Sequence, residues 1–135
     1  MIRRKAVQLR VPQWTKSFTA SVGKEKWNGK PGTFLTIDRD WKAGDTVNIE
    51  MDMTVRVLSG GKSYPDSVAV QRGPQVLAAE GSLNSENITL SRSLSTVSPV
   101  APPTGWSGSQ VYKAESAILV PFSDAVSMRV WLPAR

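Results

Sequence analysis

Residues 64–80, YPDSVAVQRGPQVLAAE, hold the pattern on which the fold turns. Val68, Val70, Val76 and Leu77 supply the burial a core strand needs. Between them, Gln71, Arg72, Gly73 and Pro74 set a charge, a flexible residue and a residue without a backbone donor side by side. Proline is tolerated in sheets at edges, strand starts or bulges, and glycine inside a strand marks a bulge or a close backbone approach. Two arrangements satisfy this stretch. Either two short strands meet at Gly73-Pro74, or one strand bends sharply there.

Outward from that stretch the chain alternates. At residues 47–57, Val47, Ile49, Met51, Met53, Val55 and Val57 occupy every second position, interleaved with polar groups. A period of two places all six on one face of a strand, whereas a helix would scatter them. One long amphipathic strand is expected. Upstream, Val7, Leu9 and Val11 alternate until Pro12, and Phe18, Ala20 and Val22 alternate again. Residues 23–32 are polar and carry Asn28-Gly29 and Pro31-Gly32 as turn signals, before a third strand at 33–41 and a tight turn through Gly44.

Downstream, residues 81–110 turn rich in Ser, Pro, Thr and Gly, with a short strand expected at 88–90 and an extended, unpaired connection at 98–103. Residues 91–110 are read as a long excursion, because too few residues follow for a second domain. Residues 117–122 and 128–133 make two closing strands. No heptad, repeat or amphipathic helix appears. The expectation is a single all-β domain over residues 1–135, an antiparallel β-sandwich of jelly-roll type or else a small barrel. Residues 1–6 are expected to be disordered or a truncation edge.

Composition narrows the chemistry. The 135 residues contain no Cys and no His. Thiol nucleophiles, imidazole acid–base catalysis and the usual zinc ligands are thereby removed. Asp38, Asp40, Asp45, Glu50 and Asp52 lie close in sequence, as the paired carboxylates of glycoside hydrolysis would. Yet Asp38 and Asp40, like Glu50 and Asp52, sit opposite the apolar faces of their strands, where a solvated sheet face is the plainer reading. No catalytic residue, metal ligand or cofactor is assigned. The Asn87-Ile88-Thr89 sequon bears on glycosylation only in a eukaryotic secretory setting.

The net charge of +6 suggests nucleic acid, but its distribution argues against it. Residues 1–30 hold eight Lys or Arg against the single acid Glu25, while residues 31–135 hold nine against ten. A single-stranded nucleic-acid-binding barrel is therefore the weakest reading, resting on Lys24, Lys26, Trp27 and Lys30. No apolar run approaches the roughly 20 residues of a membrane-spanning helix, and no export signal is expected at the N-terminus. Among the five tryptophans, Trp41 and Trp131 end strands and read as packing residues. Trp27 and Trp106 fall in polar, Gly-rich stretches and are the candidates for stacking on a sugar ring.

Taken in order, LRVPQW at 9–14, IDRDWKAGDTV at 37–47, VAVQRGP at 68–74 and RVWLP at 129–133 resemble the bacterial β-L-arabinofuranosidase-like glycosidases, glycoside hydrolase family 127 and its relatives. The likeness falls on the β-sandwich that follows that family's (α/α) catalytic barrel, with Pro12, Trp14, Trp41, Gly44, Asp45, Arg72, Gly73 and Pro74 as markers. Residues 22–32 depart from the Val-Asn-Gly turn of the family pattern. The resemblance implies a fragment of a larger glycosidase, periplasmic or secreted, with the catalytic barrel as partner and carbohydrate or a second copy as further partners. It also implies that the family's catalytic cysteine, zinc thiolates and glutamate belong to the barrel, so none transfers to this chain. The expected function is a non-catalytic accessory domain; the alternative is an autonomous carbohydrate-binding module.

Overall fold

The computed structural model describes residues 2–135. Its regular structure is antiparallel β throughout, apart from two single-turn 3-10 segments and one isolated parallel bridge between Leu90 and Ala134. The all-β class expected from the alternation holds. The chain is described as two compact units, Met1–Thr54 and Val55–Arg135.

In the first unit, β1 (Arg3–Arg10), β2 (Phe18–Val22), β3 (Glu25–Gly29), β4 (Phe34–Trp41) and β5 (Asn48–Met51) form two small sheets. β1 pairs with β4 so that Val7 faces Ile37 and Leu9 faces Leu35. β2 runs between β3 and β5. Val11, Phe18, Ala20 and Ile37 are buried together, with Leu9, Trp27, Leu35, Trp41 and Val47 packed against them. The alternation of 7–11 and 18–22 thus becomes the inward side of both sheets. The ladder of β1 begins at Arg3, four residues before the alternation does.

Residues 23–32 are not a single polar loop. Gly23, at φ 58°, turns the chain directly from β2 into β3. Asn28-Gly29 ends that strand instead of forming a turn. Glycine is required at 29 because a Cβ there would lie 2.5 Å from Val11 Cγ2 and 2.9 Å from Phe18 Cδ1.

The second unit contains β6 (Val55–Ser59), β7 (Ser67–Arg72), β8 (Gln75–Glu80), β9 (Ser98–Val100), β10 (Val111–Ala114), β11 (Ala117–Pro121), β12 (Met128–Arg129) and β13 (Leu132–Pro133). These make one eight-stranded sheet around the path β13-β7-β8-β11-β10-β9, with β6 on β7 and β12 on β8. One core gathers Val68, Val70, Leu77, Ala79, Leu90, Tyr112, Leu119 and Leu132. Ala69, Ala78, Val111 and Val120 are buried too. Strands buried on both faces lose polar alternation and read as near-continuous apolar runs, which accounts for 68–70, 77–79 and 119–120.

Several expected strands are corrected. The long strand at 47–57 is two, β5 and β6. At the break, the Asp52 N–H donates to Ser17 O at 3.1 Å and the Asp52 carbonyl accepts Thr15 Oγ1 at 2.9 Å. The chain there bonds to the 15–17 segment, and Val55 opens a new ladder opposite Arg72. Strand 128–133 likewise splits, Met128 pairing with Glu80 and Leu132 with Val68. Residues 98–100 are paired rather than free: Pro99 faces Tyr112 on the terminal strand β9, an edge where a missing donor is tolerated. Ile88 and Leu90 are buried core residues without a strand of their own.

Candidate functional site

Gly73-Pro74 is the connection between two strands, the first of the arrangements open to residues 64–80. Arg72 faces Gln75 across a two-residue turn, with Gly73 at φ 54°. Hairpins of this length favour turns with positive φ at the first central residue, which glycine adopts at no steric cost. The Gln71 side-chain amide donates to Gly73 O at 2.9 Å and steadies the turn. Arg72 lays its guanidinium 5.0 Å from the centroid of the Tyr112 ring. This is a cation–π contact that anchors the hairpin to β10.

The densest polar cluster of the first unit forms around Arg39, a residue the sequence reading passed over. Its Nε meets Glu25 Oε2 at 2.9 Å and its Nη1 meets Asp45 Oδ2 at 2.9 Å. Its guanidinium lies 4.8 Å from the Trp41 ring centroid. Trp41 Nε1 donates to Lys5 O at 3.0 Å. Gly44, at φ 91°, lets the 42–45 turn close so that Asp45 Oδ2 also accepts the Lys42 N–H at 3.0 Å. That backbone bond, helped by Arg39 and opposed by burial, holds the Asp45 carboxyl below the ordinary aspartate range. Trp41, Gly44 and Asp45 therefore act together to lock one turn. Pro12 and Trp14 are half-buried just past the end of β1.

The other carboxylates are held as a solvated or structural set. Asp38 and Asp40 share Arg4, at 3.2 and 4.0 Å, on an exposed face. Asp52 Oδ2 accepts the Thr54 hydroxyl at 2.7 Å. In the second unit Glu80 is buried, 3% exposed, and Asp124 accepts both the backbone N–H and the hydroxyl of Ser109. Hydrogen bonds push both acids down: the Val126 N–H acts first on Glu80, and the Ser109 hydroxyl first on Asp124. A glycosidase general acid needs the opposite shift, upward, so that it carries a proton near neutral pH. Among the described residues no group of three or more His, Cys, Asp or Glu is placed to hold a metal ion.

Of the two tryptophans proposed for sugar stacking, one departs from the expected placement and one does not. Trp27 is in β3, not a loop, and packs half-buried against the first unit's core. Trp106 does lie in a loop, after a turn in which its N–H donates to Pro103 O at 3.1 Å. One side of its indole is closed by Gly108, where a Cβ would come within 2.7 Å of Cζ2. Trp106 also lines a hollow of ≈ 300 Å³ with Ser82, Leu83, Pro103, Thr104 and Gly105. Exposed aromatic side chains are instead Phe34, Phe122 and Tyr64, the last stacked on Trp131 at 5.0 Å and 16°. Neither Tyr64 nor Phe122 stands out in sequence, because each lies beside an apolar strand and looks like core.

Comparison with known proteins adds to this geometry. Residues 3–53 match the family model described as Beta-L-arabinofuranosidase, GH127 middle domain. Among solved structures, a GH127 β-arabinofuranosidase superposes with a TM-score of 0.75 at 23% identity, covering 100% of this chain and 28% of its own. A GH127 β-L-arabinofuranosidase from Geobacillus stearothermophilus T6 gives 0.74 at 21% identity, covering 99% and 27%. A further glycoside hydrolase gives 0.71 at 23%, covering 97% and 28%. These likenesses establish the fold, and the chain spans little more than a quarter of each matched structure. No curated protein matches the chain. The resemblance read from the sequence agrees with this match: residues 3–53 are similar to the GH127 middle domain.

Proposed function

We propose that the chain is a non-catalytic accessory β-domain of a β-L-arabinofuranosidase-like glycoside hydrolase, supporting a catalytic barrel supplied by the rest of that protein. The match of residues 3–53 to a middle domain carries the proposal. The chemistry agrees with it. The chain has no Cys or His, and Asp45, Glu80 and Asp124 are each committed to hydrogen bonds that keep them ionised.

The surface of β5 supports a contact role. Ile49 and Met51 face Ala20 and Phe18 across the ladder, on the core side of their sheet, yet remain 42% and 40% exposed. Apolar side chains left uncovered on a core-facing edge are what a face that meets another domain presents. Contacts between two copies of the domain belong to the same reading.

Sedimentation of the chain mixed with the barrel portion of a GH127 glycosidase tests the role. A complex that Ile49→Glu with Met51→Glu weakens is the expected result. Independent sedimentation of the two proteins at every concentration would overturn it.

A further inference from the structure

On β7 the core residues Val68 and Val70 are followed, at the next position on the same side, by Arg72. The register continues that layer. Val70 faces Val57 and Leu77, and two residues further on Arg72 faces Val55 and Gln75. Tyr112, 4% exposed, joins the layer from β10, with the Arg72 guanidinium 5.0 Å from its ring centroid. A cation thus sits half-buried at the rim of an apolar core.

Its counter-charge is missing. Among the described residues the guanidinium makes no hydrogen bond and no ion pair, and the Tyr112 ring is its one polar contact. Residues 55–135 hold five acids, and none serves it. Asp66 and Glu115 meet Arg92 and Arg135. Glu80 accepts the Val126 N–H, and Asp124 accepts Ser109. Glu86 is exposed, its carbonyl bonded to Arg129. The first unit shows the same arrangement completed: Arg39 lies 4.8 Å from the Trp41 ring centroid and meets both Glu25 and Asp45 at 2.9 Å. Charged side chains drawn out of water are as a rule paired. A guanidinium laid over a ring keeps the N–H groups at its planar edge free, in the fork that fits a carboxylate.

We infer that Arg72 is a docking point for a carboxylate side chain, an Asp or Glu of the catalytic portion of the parent glycosidase. Charge and geometry select this occupant, because a fixed cation with an open fork and no acid of its own unit calls for an anion from outside it. The inference rests on the accessory role proposed above and gives that role a charged anchor in the second unit.

Sedimentation of the full chain with the barrel portion of a GH127 glycosidase, at several salt concentrations, tests it. Arg72→Met keeps a long stem to pack on Tyr112 and removes the charge and the fork. It is expected to weaken the complex about tenfold or more, equivalent to roughly 1.4 kcal/mol, and to flatten the fall of affinity with salt. Arg72→Lys keeps the charge without the fork; it is expected to bind between the two and to retain the salt dependence of the parent, a readout that loss of packing alone does not separate. Affinity and salt dependence unchanged in Arg72→Met would overturn the assignment and leave the accessory role standing. Equal weakening in both variants, with the parent's salt dependence in each, would overturn it as well. No complex with the parent chain would overturn the accessory role and this docking point together.

Discussion

Glu80 Oε2 accepts the backbone N–H of Val126 at 2.7 Å, and the same carboxylate accepts the Ser127 N–H at 3.2 Å. One buried acid at the end of β8 thereby holds the segment that leads into β12, where Val126 itself is 88% exposed. Asn84 braces the other side, donating to Glu80 O and to Ile118 O while its Oδ1 accepts the Ile118 N–H. Glu80→Ala strands two backbone donors. Its urea midpoint is expected to fall well below that of Glu86→Ala, a change at an exposed acid, with faster amide exchange concentrated at Val126 and Ser127.

The same carboxylates set the acid limb of stability. Glu80, Asp45 and Asp124 all have folded-state proton affinities below their ordinary values of 4.5 and 3.8. A lowered folded value means that the unfolded chain binds the proton more readily, so acid favours unfolding. The stabilisation is complete above the ordinary carboxylate range and drains away as pH falls through the lower, folded values. Thermal midpoints measured from neutral pH into acid are expected to hold level and then drop below about pH 4. Glu80→Gln is expected to make that drop shallower.

Gly73 carries positive φ at the first position of the β7–β8 hairpin. Gly73→Ala places a Cβ in the left-handed region, at a cost of about 1–2 kcal/mol. Chemical denaturation should show that loss, with no change in the slope of the transition. An Ala variant as stable as the parent would mean that the hairpin does not need glycine.

Thr15 is 2% exposed, and its hydroxyl is shared between Ser17 O at 2.7 Å and Asp52 O at 2.9 Å. Thr15→Val keeps the shape and removes the donor. A loss of about 1–3 kcal/mol is expected from leaving buried carbonyls short of a partner. Thr15→Ser, which keeps the hydroxyl, should recover most of it.

Alternation carried the β-class and the inward side of β1, β2 and β4, because a period of two requires a strand with one face buried. It overran at 47–57. Nothing in that pattern shows that Thr15, 37 residues away, intercepts the Asp52 carbonyl and ends β5. Residues 111–114 were invisible as a strand since four residues leave too short a pattern, and β10 is held in place by β9 and β11 on either side. The Arg39 cluster was hidden for a related reason. Arg39 follows Ile37 on the inward side of β4, where a charge looks like an interruption until Glu25 and Asp45 are brought to it. Trp27 misled because a polar neighbourhood in sequence need not be an exposed one in space.

Release of chromophore from an aryl β-L-arabinofuranoside by the purified chain tests most directly whether the domain is non-catalytic. The expected rate equals that of buffer alone, at any pH and with or without added zinc. Turnover that persists through purification and falls when a single carboxylate such as Glu25 or Asp45 is replaced would contradict the proposal.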